Sequence, residues 1–172
     1  MLDQVTGRHA VWRHPKLIDP DRIGMAGHSI GGAASATAMA AAPRIRAGVN
    51  MDGTFRAAVP PTGLGGRAFL LLGTRADHAP GRDHTWDRDW PSLDGWKRWL
   101  TVDGAQHGSF TDTPILENLL GVPDSGELPA QRAVEITRTY VTAFFDLHLK
   151  STPQPVLDGV SANNAEVAFE QP

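Results

Sequence analysis

One serine of this sequence lies at the centre of a pentapeptide typical of enzyme nucleophiles. Residues 27–31 read Gly-His-Ser-Ile-Gly, the pattern G-x-S-x-G, with Ser29 in the middle. A serine hydroxyl is a weak nucleophile at neutral pH, and it reacts when a histidine takes its proton. Because the pattern is short, its meaning depends on whether a strand precedes it and a helix follows it.

The segments on both sides of Ser29 have the required character. Residues 22–28 are mostly apolar, which predicts a buried strand. Residues 30–42 are small and rich in alanine, and they end at Pro43, which predicts a helix. The sequence therefore predicts a strand–turn–helix unit with Ser29 on the turn.

Such a turn is sharp, and each residue around it has an expected role. Gly27 and Gly31 are predicted to prevent collisions across the strained turn, and the N–H of Ile30 to bind an oxyanion at the start of the helix. His28 is on the wrong side of the turn for a base, so we expect it to pack against neighbours or to line a substrate pocket. The expected chemistry is nucleophilic attack by Ser29.

The histidine that would activate Ser29 should follow the last strand, because chain order in this architecture is serine, acid, histidine. His107 comes just after a predicted strand at 97–103, between Gly104 and Gly108. Glycines on both sides suit a tightly turned, exposed loop. His107 is therefore the predicted base.

Two aspartates could orient that base. Asp52 directly follows a predicted strand at 47–51, whereas Asp77 follows the apolar strand predicted at 67–73 and opens a polar loop. Both positions can reach a histidine at the carboxyl edge of a parallel sheet. An acid that stabilises an imidazolium must be largely buried, and Asp77 looks the more solvated. The residues alone leave both candidates open.

The elements that would position these side chains alternate along the chain. Strands separated by helices or long crossovers predict one α/β domain over residues 1–172, with a mostly parallel sheet. The clearest helix is predicted at 129–150, and another within the loop around Trp86–Trp96. The tail from Ser151 is predicted to be irregular.

Several side chains near the catalytic edge could wall a substrate pocket. Trp86 and Trp90 are candidates for an apolar acyl pocket, as is Phe55, while His78 lies in the same polar loop. The loop at 77–89 mixes carboxylates and imidazoles, but its spacing matches no zinc pattern. We therefore predict neither a metal nor an organic cofactor.

Composition excludes several other classes of function. The formal net charge of −3 and the absence of a basic stripe argue against nucleic acid as a partner. No stretch approaches the roughly 18 apolar residues of a transmembrane helix. The sequence has no cysteine, which excludes disulfides, thiolate metal sites and cysteine nucleophiles. It has no signal-peptide pattern, which taken alone indicates a cytoplasmic chain and leaves secretion open if an amino-terminal part is missing.

Three segments, GMAGHSIGGAA, GVNMDGTF and GAQHGSFTD, together resemble the platelet-activating-factor acetylhydrolase type II family of α/β-hydrolases, particularly its bacterial esterase and lipase-like members. The resemblance covers about residues 21–140. It implies a Ser-His-Asp triad made of Ser29, His107 and Asp52, with an acyl-enzyme intermediate. A more distant similarity to cutinase-like and dienelactone-hydrolase-like enzymes would place the acid at Asp77 instead.

The sequence departs from that family before the elbow. The family has several strands there, and one of their loops supplies a second oxyanion N–H, whereas about twenty residues precede the elbow strand here. We therefore expect a partial α/β-hydrolase fold without the amino-terminal strands. The chain is then a fragment, a natural truncation, or one part of an assembly that pairs the exposed elbow-strand edge with another chain, for instance a homo-oligomer. The predicted function is hydrolysis of a small-molecule or lipid carboxylic ester. The alternative is a catalytically weak or inert module used for binding or assembly.

Overall fold

A computed structural model describes residues 17–123 and 126–172 of the chain, so the first sixteen residues lie outside the described part. Its framework is a five-stranded sheet in the order β1-β2-β3-β4-β5. The first four strands are parallel, and the last pairs with β4 in the antiparallel sense. The strands are β1 (Ile23–His28), β2 (Ile45–Met51), β3 (Ala68–Thr74), β4 (Lys97–Val102) and β5 (Val167–Phe169).

Within the described residues, five α-helices accompany the sheet, and the longest has 21 residues. They are α1 (Ile30–Ala41), α2 (Arg75–His78), α3 (His84–Asp89), α4 (Thr113–Leu119) and α5 (Ala130–Lys150). Short 3₁₀ turns lie at Trp90–Ser92, His107–Phe110, Pro155–Leu157 and Ala162–Asn164. The mostly parallel sheet with flanking helices confirms the predicted α/β class.

The sheet is buried on both faces at its centre, as a parallel sheet requires. On β3, Leu70 and Leu72 pack into a cluster with Phe144 of α5. The alternate residues Phe69 and Leu71 face the opposite side, in a cluster that includes buried tryptophans of the loop and β4. Each face removes a continuous apolar surface from water, which contributes roughly 25 cal/mol per Å² to stability.

The edge strand β1 differs from the fully buried strand that its apolar composition predicted. Its residues alternate between half-buried and exposed, because β1 is the first strand of the described sheet and pairs on one side with β2. From the sequence we expect no strands before the elbow strand. This expectation concerns in part residues 1–16, which lie outside the described residues. Within the described part, β1 forms the edge of the sheet.

Two local predictions were wrong. The helix expected around Trp86–Trp96 is instead α3, which ends at Asp89 and is followed by a 3₁₀ turn containing Pro91. The tail is not wholly irregular, since its last part forms β5 against β4. A three-residue strand has little local signal of its own, and β5 owes its conformation to the ladder it joins.

None of the helices in the described residues is both long enough and apolar enough to cross a membrane.

Candidate active site

Ser29 lies on a turn whose backbone is held in an unusual conformation. Its φ is 56° and its ψ is −125°, a region that costs a non-glycine residue about 1–3 kcal/mol. Two hydrogen bonds fix the turn: the Ser29 N–H donates to Met51 O at 2.8 Å, and the Ala33 N–H donates to Ser29 O at 2.9 Å. The side chain therefore lies at the junction of β1 and α1, above the carboxyl end of the sheet.

Close backbone approaches require glycine at some positions around the elbow and not at others. A Cβ on Gly27 would run into the backbone of Gly31, and one on Gly53 would run into the carbonyl oxygen of Ser29. A Cβ on Gly31 would meet nothing within 4 Å. The expectation that both glycines of the pentapeptide prevent collisions thus holds for Gly27 alone.

His107 opens the 3₁₀ turn after β4 and points at the serine. Its Nε2 is 3.0 Å from Ser29 Oγ. A reciprocal capping box between Gln106 and Ser109 fixes the turn. His28 contributes as well, since its Nε2 lies 2.7 Å from the carbonyl oxygen of His107, which can only accept a hydrogen bond. His28 therefore holds the histidine loop through the backbone and does not face Ser29 as a base.

Asp52 lies on the other side of His107. Its Oδ2 is 2.6 Å from His107 Nδ1, and its Oδ1 accepts a hydrogen bond from the Thr74 N–H at 2.7 Å. The residue is 3% exposed. Burial by itself raises the pKa of the Asp52 carboxyl, but contacts with His78, Thr74 and His107 outweigh it and hold that pKa below its ordinary value. The carboxylate is thus ionised and oriented.

The other aspartate candidate has a different set of contacts. Asp77 is exposed, and its carboxylate accepts a hydrogen bond from Thr74 Oγ1 at 3.1 Å in the first turn of α2. It lies on the rim of the cleft that contains Ser29 and His107. The geometry therefore brings Asp52, and not Asp77, against the histidine.

A second histidine contacts Asp52, which sequence reasoning did not foresee. His78 Nδ1 is 3.0 Å from Asp52 Oδ1, and its Nε2 is 3.3 Å from Asp83 Oδ2. The sequence marked His78 as a pocket residue, and it does border the cleft, but its side chain is only 6% exposed. The sequence holds no local signal of the contact with Asp52, because Asp52 follows β2 whereas His78 and Asp83 lie in the loop after β3.

The cleft beside the serine has a volume of about 460 Å³. Its lining combines Ser29, His107 and Asp52 with the apolar Ile30 and four further polar or charged side chains, Thr54, Arg56, Asp77 and His78. The aromatic candidates for its wall lie elsewhere. Phe55 and Trp86 are buried in the core below the sheet's carboxyl edge, and Trp90 lines a separate cavity beside Lys97. Their large apolar surfaces are used for packing on the sheet.

One group of side chains in the described residues has the composition of a metal site: His28, Asp52 and His107 place ligand atoms within 4.8 Å of one another. Those atoms already face protein partners, since Asp52 and His107 bind each other and His28 Nε2 faces a carbonyl oxygen. In the 77–89 loop, Asp83 is likewise engaged by Thr85. These groups are placed for hydrogen bonding among themselves.

The start of α1 offers a donor for an oxyanion. Ile30 is its first residue, and the first N–H groups of a helix have no acceptor within the helix. That N–H belongs to the residue after Ser29, the usual first donor at a nucleophile elbow. The side chain of Ile30 is 72% exposed.

Comparison with known proteins relates the chain to esterases. No protein-family model matches it. It is 33% identical over 167 residues to a protein of Arthroderma benhamiae named as a probable 1-alkyl-2-acetylglycerophosphocholine esterase, over 86% of this chain and 43% of that protein. The structure of ferulic acid esterase from Streptomyces cinnamoneus superposes with a TM-score of 0.86 and 40% identity, over 99% of this chain and 52% of that one.

These matches confirm the resemblance to platelet-activating-factor-acetylhydrolase-like esterases and the hydrolase fold that the motifs implied. The chain spans about half the length of the relatives it matches.

Proposed function

We propose that this chain, a relative of the α/β-hydrolase esterases, hydrolyses carboxylic esters through a triad of Ser29, His107 and Asp52. The observation that carries the proposal is one continuous line of contacts, 3.0 Å from Ser29 Oγ to His107 Nε2 and 2.6 Å from His107 Nδ1 to Asp52 Oδ2. Both separations lie within the reach expected of a nucleophile, its base and the group that orients the base.

The role of each residue follows from which atoms carry protons. Asp52 accepts a hydrogen bond from the Nδ1–H of His107, which leaves Nε2 with a lone pair toward Ser29. His107 takes the Ser29 proton as Oγ bonds to the acyl carbon, and then gives that proton to the departing alcohol as the ester C–O bond breaks. Water, deprotonated by the same histidine, attacks the acyl-enzyme and releases the carboxylic acid.

Charge that develops on the acyl oxygen would be met by the N–H of Ile30. Each oxyanion donor is worth about 10²–10³ in kcat, so the rate depends on how many donors the site has. This consideration favours a second candidate function, a weakly active or inert hydrolase-fold module, if Ile30 acts alone. The intact geometry of all three triad members favours the hydrolase.

The substrate we propose is a small-molecule or lipid ester. The relatives are named as esterases of 1-alkyl-2-acetylglycerophosphocholine and of ferulic acid, two compounds of different chemistry. In this chain, Thr54 and Arg56 are among the polar groups that line the cleft beside the triad and can contact substrate. An ester panel that varies the acyl and alcohol parts separately would identify which side of the ester the cleft selects.

We also propose that the β1 edge is an assembly surface. Beside it lies an apolar groove of about 420 Å³ formed by α1 and neighbouring residues, among them Met25, Ile30 and Ala34. An exposed strand edge next to an apolar groove favours pairing with another strand, and a second copy of the chain is the occupant to test. Light scattering on the purified chain should give a dimer mass, and a monomer mass at micromolar concentration would refute this.

The deciding experiment is labelling with a fluorophosphonate, a reagent that modifies serine nucleophiles activated by a base. We expect stoichiometric modification of Ser29, located by mass spectrometry, and its loss in Ser29→Ala and His107→Ala. Ser92→Ala is the matched control, since Ser92 lies in the 3₁₀ turn after α3, and it should label like the parent. A folded chain that remains unlabelled would support the inert module instead.

A further inference from the structure

His78 is enclosed between two buried carboxylates. Its Nδ1 faces Asp52 Oδ1 at 3.0 Å and its Nε2 faces Asp83 Oδ2 at 3.3 Å. The side chains of the three residues are 6%, 1% and 5% exposed. The line of contacts that starts at Ser29 therefore continues through Asp52 to a second imidazole and a second acid.

The His78 ring is buried and packs against an aromatic neighbour. One face lies 4.2 Å from the ring of Trp86, centroid to centroid. The distal carboxylate is also fixed: Asp83 Oδ1 accepts from the Thr85 N–H at 2.8 Å, and its Oδ2 accepts from Thr54 Oγ1 at 2.9 Å. Asp83 is thus held facing His78 by partners that do not depend on the histidine.

The charge state of the ring follows from its neighbours. An ionised carboxylate only accepts hydrogen bonds, whereas a neutral imidazole has one N–H donor and one lone pair. A neutral ring would turn its lone pair toward one of the two carboxylate oxygens, and two buried carboxylates would then lack a cation between them. Both ring nitrogens lie within ion-pairing distance of a carboxylate, but neither meets the geometry of a hydrogen bond, so the attraction depends on the charge of the ring.

We infer that His78 is a positioning residue of the triad: as an imidazolium it keeps the Asp52 carboxylate ionised and turned so that Oδ2 faces His107. The inference rests on the proposed triad function. The titratable groups that face His78 are Asp52 after β2 and Asp83 before α3, with His107 beyond Asp52. His78 acts on Ser29 through Asp52 and His107, and it also borders the cleft.

Removal of this cation should change the pH dependence of the reaction. In His78→Gln, Asp52 and Asp83 lose the positive charge between them. Either the excess negative charge stabilises the protonated form of His107, or Asp52 itself takes up a proton. Both routes move the acidic limb of the rate profile to higher pH, and we expect a shift of about half a pH unit or more.

The test measures kcat/KM for p-nitrophenyl acetate from pH 5 to 9 in the full chain. We expect the shifted limb and a lower kcat with little change in KM for His78→Gln. His84→Gln is the matched control, because His84 lies in the same loop with an exposed side chain, and its profile should superimpose on that of the parent. A His78→Gln profile with an unshifted limb overturns the inference, even if its rate falls.

A second measurement needs no variant and no activity. In ¹⁵N-histidine-labelled protein, both ring nitrogens of His78 should have the chemical shift of protonated nitrogen at pH 7. One nitrogen at the unprotonated shift overturns the inference whether or not His78→Gln folds. Failure of the proposed function looks different: the parent chain would then not react with fluorophosphonate at all.

Discussion

Asp52→Asn should nearly abolish ester hydrolysis, because the structure dictates how the introduced amide must be oriented. At the Oδ1 position the Thr74 N–H donates at 2.7 Å, and His78 approaches the same atom at 3.0 Å. Both neighbours require an oxygen there. The amide NH₂ is then forced to the other position, where it faces His107 Nδ1 at 2.6 Å.

This orientation leaves His107 in the wrong tautomer. An NH₂ that donates to Nδ1 keeps the imidazole proton on Nε2, the atom that must accept the proton of Ser29. The equivalent substitution in serine proteases lowers kcat by about 10⁴. We expect a loss of similar size, about 5 kcal/mol in activation free energy. KM should change little, since Asp52 is 3% exposed and acts through His107.

The assay is hydrolysis of p-nitrophenyl acetate, with the rate of fluorophosphonate modification as a second readout of Ser29 reactivity. Asp77→Asn is the comparison variant, because Asp77 contacts Thr74 Oγ1 on the cleft rim, and it should retain activity within a few-fold. Circular dichroism of both variants controls for folding. If Asp77→Asn proves the more damaging of the two, the orientation argument is refuted and Asp77 is the acid.

Three further predictions concern the frame around the site. Gly27→Ala should lower the melting temperature sharply because the added Cβ meets backbone, whereas Gly31→Ala should leave it unchanged or raise it because that Cβ lies in open space on a helix. Equal decreases in melting temperature for the two variants would contradict this. Burial lowers the pKa of His148, so the unfolded state binds the proton more readily and the free energy of unfolding should fall as pH drops below about 6.5. Urea titrations at several pH values should show that His148→Phe lacks this pH-dependent loss. The Arg132 guanidinium lowers the pKa of Glu166 to about 2, so this pair stabilises the folded state above the unfolded pKa of 4.5, and that stability is lost as pH falls toward 2. In the same titrations Glu166→Gln should lack this loss of stability at low pH, and a response to acid like that of the parent would refute the role of the pair.

Local patterns determined most of the framework. The apolar run of β3 and the alanine-rich run of α1 predicted their elements to within a residue or two, because burial on both faces and helix propensity leave strong local signals. The tail gave no such signal, and β5 exists because β4 offers it a hydrogen-bonding edge. The helix predicted around Trp86–Trp96 ends at Asp89, because a 3₁₀ turn that contains Pro91 follows it.

The sequence by itself determined which residues are candidates for chemistry. G-x-S-x-G between a strand and a helix indicates Ser29, and chain order indicates His107, because a sharp elbow and a parallel sheet restrict where such residues can lie. It could not choose between Asp52 and Asp77 from the residues alone, since both follow neighbouring strands that end at the same edge of the sheet. The family resemblance favoured Asp52.

Tertiary structure decided the contacts that depend on distances between loops. Only the folded chain shows that Asp52 meets His107 while Asp77 turns to Thr74, and that His78 lies between two carboxylates. It also shows that Trp86 is used for packing and not as a pocket wall. Sequence patterns report burial and local conformation, whereas a charge network among separate loops is set by the three-dimensional path of the backbone.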